Sequence, residues 1–107
     1  MSIFEIRHYN VKDGRMAEWI GFMEDRIVPF MIAKGMDVNA MFESDDDENL
    51  FIWIRRFDDD EVREEQYAAV YESEEWQSEI KPVVRSLIDV EEIVVHRARA
   101  TPKSPMR

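Results

Sequence analysis

Residues 50–57 read LFIWIRRF, a strand-length run that is apolar on one parity (Phe51, Trp53, Phe57) and equally apolar on the other (Leu50, Ile52, Ile54). Alternate side chains of a strand point to opposite faces, so both faces of the sheet that holds this run need cover. A chain of 107 residues has helix enough for only one of them. The other face, expected to carry Trp53 and Arg55, must then meet a second molecule. The chain is therefore expected to be half of a barrel, and a homodimer.

Apolar residues that alternate or recur through the chain, and aromatics spread from Trp19 to Trp76, describe one globular domain over residues 1–100 with a C-terminal tail at 101–107. The formal net charge is −10. No basic stripe is present to displace counterions from phosphates, so nucleic acid and anionic membrane surfaces are not expected partners. The acid is concentrated in Asp45, Asp46, Asp47 and Glu48 and again from Asp58 to Glu65. These runs read as a solvated loop and a helix N-terminus; the first lacks the ligand spacing and central glycine of a calcium loop, and no metal is assigned. Cysteine is absent, which removes disulfides and thiolate chemistry, and the apolar stretches are interrupted by charges. A cytoplasmic location follows as the expectation.

In order, residues 2–10 alternate as a strand, and Val11 to Gly14 form a turn in which Asp13 is placed to cap a helix. That helix has apolar positions Met16, Trp19, Ile20, Met23, Ile27, Phe30 and Met31, a kink expected at Pro29 and an end at Gly35. Residues 38–44 and 50–57 read as a hairpin with a polar tip. Asp58 to Asp60 cap a second helix bearing Val62, Tyr67, Val70 and Tyr71. Ser73 opens a short turn with Trp76 and Ile80, Pro82 starts a last helix, and Ile93 to Val95 mark the fourth strand. The order is βαββαβ: an α+β, ferredoxin-like four-stranded antiparallel sheet with helices on one face and the first and third strands at the centre.

If helix-facing positions are apolar, Phe4, Ile6, Ile52 and Ile54 face the helices, and Glu5, Arg7, Tyr9, Trp53 and Arg55 fall on the open face. An open face about 20 Å square, roughly 400 Å² in projection, sits within the range of about 300–600 Å² for the largest apolar patch a monomer carries. Pairing two such faces gives an interface on the order of 1,000–2,000 Å². Two arginines on adjacent central strands need partners, with Glu5 and Glu43 as candidates. Two readings stay open: a satisfied Arg–Glu network that sets the dimer register, or a guanidinium left to hold an anionic or aromatic ligand among Arg7, Tyr9, Trp53 and Arg55. His8 and His96 are ambiguous.

The strings FEIRHYNVKDGR, FIWIRRFDD, YAAVYESEEW and IVVHRARATPKSP together resemble the NIPSNAP family, whose opening strand typically reads Tyr-Glu-Leu-Arg-x-Tyr followed by Val-Lys-x-Gly. Glu5, Arg7, Tyr9, Val11, Lys12 and Gly14 match that pattern, and Phe4 replaces its first tyrosine. The resemblance implies a dimeric α+β barrel, in a superfamily with cofactor-independent antibiotic-biosynthesis monooxygenases and haem-degrading enzymes. It carries over no catalytic residue.

Three functions compete. One is a ligand-binding or accessory dimer with an intermonomer cavity lined by Arg7, Tyr9, Trp53 and Arg55. A second is a cofactor-free oxygenase or isomerase in which His8, His96 or Asn39 handles a proton. The third is a structural or interaction dimer with no cavity. None calls for a cofactor.

Overall fold

Alternation of Phe4 and Ile6 with Glu5, Arg7 and Tyr9 builds β1 (Ile3–Asn10), the first element of a computed structural model that describes residues 2–107. A helical stretch follows as α1 (Met16–Phe22), a π-helical turn (Met23–Ile27) and α2 (Val28–Ala33). It stops at Gly35, whose φ of 97° lies in the left-handed region. There Gly35 N–H donates to the Ile32 carbonyl and Met36 N–H to the Met31 carbonyl, satisfying the last turn. β2 (Asp37–Glu43) and β3 (Leu50–Phe57) form the hairpin, with a bulge between Val38 and Ala40.

α3 (Asp60–Tyr71) starts where the Asp59 carboxylate accepts the Val62 N–H at 2.8 Å. A second π turn (Trp76–Ile80) runs into α4 (Lys81–Leu87), and a 3₁₀ turn (Val90–Glu92) leads to β4 (Val94–Ala98). All pairings are antiparallel and the sheet order is β2-β3-β1-β4, with β1 and β3 central as the pattern predicts. No helix among the described residues is long and apolar enough to cross a membrane.

Which face the helices cover is the reverse of the sequence expectation. Glu5, Tyr9, Phe51, Trp53, Arg55 and Phe57 are buried, and Tyr9, Phe51, Trp53 and Phe57 join Trp19, Met23, Ile27, Met31, Val70, Ile80 and Leu87 in one core between sheet and helices. The open face instead carries Phe4, Ile6, His8, Ile52, Ile54, Phe42, Val94 and His96, with Phe42 and Val94 about half exposed. The premise that helices require an apolar sheet face fails because α3 brings its own polar partners for the charges. What it leaves outside is the more uniformly aliphatic parity. The tail returns over one end of that face: Ala100 and Met106 lie in a shallow groove with Phe4, Ile6 and Ile54, and Arg56 Nε donates to the Arg107 carbonyl at 3.1 Å.

Two local expectations also change. Asp13 caps no helix; the N-cap position of α1 is Arg15, which makes no side-chain capping bond, and the Asp13 carboxylate accepts from Asn49 Nδ2 at 2.6 Å. The irregularity assigned to Pro29 lies upstream, as the wide turn Met23–Ile27, and the turn Trp76–Ile80 precedes Pro82 in the same way. A proline supplies no N–H to the carbonyl one turn back, and a widened turn is one way for the helix to absorb that loss.

Candidate functional site

The register of the central strands sets the site, because Glu5 lies opposite Arg55, Arg7 opposite Trp53 and Tyr9 opposite Phe51. All six side chains point towards the helices. α3 meets them with Arg63, Tyr67 and Tyr71, four residues apart and so on one helical face. Glu5 is the hub. Its Oε1 accepts from Arg55 Nη2 at 2.7 Å, Arg55 Nε at 3.1 Å and Arg7 Nη1 at 3.1 Å. Its Oε2 accepts from the Tyr67 hydroxyl at 2.6 Å and Arg63 Nε at 2.8 Å.

Burial alone would push the Glu5 carboxyl upward, but the Arg55 charge and the bonds from Tyr67, Arg55 and Arg63 hold it down at about 2. Arg55 is fully buried and fully used: Nη1 donates to the Tyr71 hydroxyl at 2.5 Å, Nη2 also reaches Tyr67, and the guanidinium lies 4.9 Å from the Trp53 ring and 5.1 Å from the Tyr67 ring. Among the described residues one carboxylate serves three guanidinium groups, those of Arg7, Arg55 and Arg63. The cluster is electropositive.

Beside it, between sheet and helices of the single chain, lies a cavity of about 210 Å³. Arg7, Tyr9 and Trp53 line it from the sheet, Trp19, Met23 and Ile27 from the first helical stretch, Trp76 and Val84 from the second, and Lys81 and Arg85 add two further cations. Arg7 donates through Nε to the Tyr9 hydroxyl at 3.1 Å and through Nη1 to Glu5, while its Nη2 has no partner among the described residues. Burial and the Arg7 and Arg55 charges act in opposite senses on the Tyr9 hydroxyl, with burial prevailing, so its pKa is raised and it stays protonated. Two of the lining residues carry a buried donor with no acceptor among the described residues: Nε1 of Trp19 and Nε1 of Trp53, in side chains 0% and 1% exposed. A buried donor left unmet costs about 1–3 kcal/mol.

Of the four residues expected to bind a ligand, Arg7, Tyr9 and Trp53 line this cavity and Arg55 lies behind them, outside the lining. The chamber is internal to one chain rather than between two copies. His8 and His96 sit on the opposite face of the sheet, their rings edge-to-face at 5.5 Å, and Asn39 is exposed at the β2 bulge. None of the three reaches the cavity. Glu43 is exposed opposite Phe51 and takes no part in the arginine network. Sequence reasoning missed Arg63, Trp19, Trp76, Lys81 and Arg85. A signal existed for the first: Arg63, Tyr67 and Tyr71 form a helical stripe whose ends are polar where a plain core stripe carries leucine. No group of three or more metal-ligating side chains is present among the described residues.

Over residues 4–105 the sequence matches the NIPSNAP family model. The chain belongs to the NIPSNAP family. Its fold is similar to a NIPSNAP family protein from Agrobacterium tumefaciens, at 21% identity and a TM-score of 0.88 over 100% of both chains. A NIPSNAP-like domain protein from Burkholderia xenovorans is similar at 18% identity and a TM-score of 0.86, over 97% of this chain and 89% of that one. SnoaB, a cofactor-independent oxygenase from Streptomyces nogalater, shares the fold at 14% identity and a TM-score of 0.72 over 97% of both chains. Among curated proteins none matches the chain.

Proposed function

We propose that this NIPSNAP protein is a homodimer whose protomers each bind a small anionic or aromatic ligand in the cavity between sheet and helices. One observation carries the reading: in a chain of net charge −10, the cavity is walled by aromatic and aliphatic side chains with Arg7, Lys81 and Arg85, and among the described residues no carboxylate side chain lines it. Attraction to anions is thereby concentrated where the overall charge would repel them. The volume lies below the range of about 300–1,000 Å³ usual for drug-sized ligands, which favours a compound of one or two rings.

The dimer is supported by the open face, where Ile6, Ile52, Ile54, Phe42 and Val94 lie together over the central strands. Burying such a face against its copy falls in the range of about 1,200–2,000 Å² typical of stable interfaces. The cysteine-free composition is consistent with a cytoplasmic setting.

Thermal denaturation with 4-ethylbenzoate tests the ligand reading. At ten times the dissociation constant, linkage adds about 1.4 kcal/mol, a rise in Tm of roughly 5–10 °C for a domain of this size. Arg7→Met is expected to lose most of that rise. Equal stabilisation of both proteins would remove Arg7 from the site, and no stabilisation by any one- or two-ring carboxylate would remove the site itself.

A second reading, a cofactor-independent oxygenase or isomerase, draws on the likeness to SnoaB along nearly the whole of both chains. On this reading the Tyr9 and Tyr71 hydroxyls, which line the cavity, take the proton-handling role that His8, His96 and Asn39 are too distant to fill. Oxygen uptake with polyphenolic substrates, abolished in Tyr9→Phe, is its test. The cavity weighs against a purely structural dimer.

A further inference from the structure

Among the described residues, the side chains that line the cavity offer more hydrogen-bond donors than acceptors, the acceptors being the hydroxyl oxygens of Tyr9 and Tyr71. Trp19 Nε1 and Trp53 Nε1 have no acceptor among the described residues. The Tyr9 hydroxyl oxygen already accepts from Arg7 Nε and the Tyr71 oxygen from Arg55 Nη1, and the O–H protons of both have no acceptor among the described residues. Arg7, Lys81 and Arg85 only donate. Among the described residues no side-chain carboxylate, amide or imidazole lines the space; Trp76 adds a third indole, and the remaining side chains are apolar. The two indoles come from different layers, Trp19 from α1 and Trp53 from β3, yet pack on the same Tyr9 ring with centroids 5.9 and 5.8 Å from it. The third buried polar atom without a partner, Gln66 Oε1, belongs to a residue outside the cavity lining.

We propose that the cavity selects an acceptor-only ligand: a ring-bearing carboxylate or phenolate whose oxygen takes the Trp19 and Trp53 N–H groups, with Arg7 supplying the charge. This rests on the reading of the cavity as a ligand site and narrows it. An amine or ammonium entering the same space would bring donors to a lining whose side-chain acceptors, the Tyr9 and Tyr71 oxygens, each already take an arginine N–H, next to a cluster already carrying excess positive charge. A neutral hydrocarbon of the same shape would fill the volume and leave both indoles unmet.

Isothermal titration of the full chain with 4-ethylbenzoate, ethylbenzene and 4-ethylbenzylamine separates the ideas. The wild type is expected to bind the carboxylate at least tenfold more tightly than the hydrocarbon and to leave the amine unbound. Trp19→Phe and Trp53→Phe should each weaken the carboxylate about tenfold and change the hydrocarbon less than twofold. Because Trp19 is deep in the core, the wild type labelled with ¹⁵N at its indoles supplies a readout that needs no variant: the Trp19 and Trp53 Nε1 proton signals should move downfield with 4-ethylbenzoate and not with ethylbenzene. If ethylbenzene binds as tightly as the carboxylate, or if the indole signals respond alike to both, the cavity is a ligand site and the acceptor rule is wrong, the indoles serving bound water alone. If neither compound binds, the cavity reading and the acceptor rule fall together.

Discussion

Glu5 and Arg55 face each other across the two central strands, Oε1 to Nη2 at 2.7 Å, with both side chains fully excluded from solvent. A buried ion pair stabilises only when its remaining lone pairs and protons are met. Here Arg7, Arg63 and Tyr67 complete the carboxylate, while Tyr71 and Tyr67 complete the guanidinium. The network fixes where Arg7 and Trp53 stand, and so shapes the cavity without Arg55 itself lining it.

Removing the hub charge leaves three guanidinium groups without an anion. Glu5→Gln is expected to lose about 3–5 kcal/mol of stability, seen as a lower urea midpoint. Arg55→Gln should lose a similar amount, and the double variant less than the sum, because each single change strands the partner. Additive losses would mean the pair is not coupled.

Acid should find the same group. The folded Glu5 carboxyl sits at about 2 against an ordinary 4.5, so its contribution is complete above pH 4.5 and disappears as pH falls through 2. The difference corresponds to about 3 kcal/mol. Urea titrations between pH 6 and pH 2 should show the wild type losing its advantage over Glu5→Gln in that window. A constant gap between the two would place the pH dependence elsewhere.

On the opposite face, Ile52→Glu is expected to convert a dimer into a folded monomer, since it puts a charge into the aliphatic patch formed with Ile6 and Ile54. Sedimentation should report halved mass with unchanged far-ultraviolet dichroism. A wild type that sediments as a monomer at micromolar concentration would remove the dimer.

The sequence made most elements legible because their signals are local. The Asp59 cap, the Gly35 stop, Pro82 at the start of α4 and the 38–57 hairpin each rest on a few neighbouring residues. The side of the sheet taken by the helices was not legible, because β3 is apolar on both parities and the choice turns on Tyr67 and Tyr71, far along the chain. Arg7, Tyr9 and Trp53 were named from β1 and β3 alone, and that same inversion moved their chamber from between two chains to within one. The π turns bring Met23, Ile27 and Trp76 to the cavity wall and have no clear mark in composition; the prolines after them announce a disturbance but not its form. Arg26 and Glu75, paired at 2.6 Å, link these two irregular segments although 49 residues separate them.

Where a bound compound sits decides the account. Intermolecular nuclear Overhauser contacts from the ethyl group of 4-ethylbenzoate to methyl-labelled protein should reach Met23, Met31 and Val84, which line the chamber between sheet and helices. Contacts confined to Ile52, Ile54 and Val94, on the far side of the sheet, would contradict it.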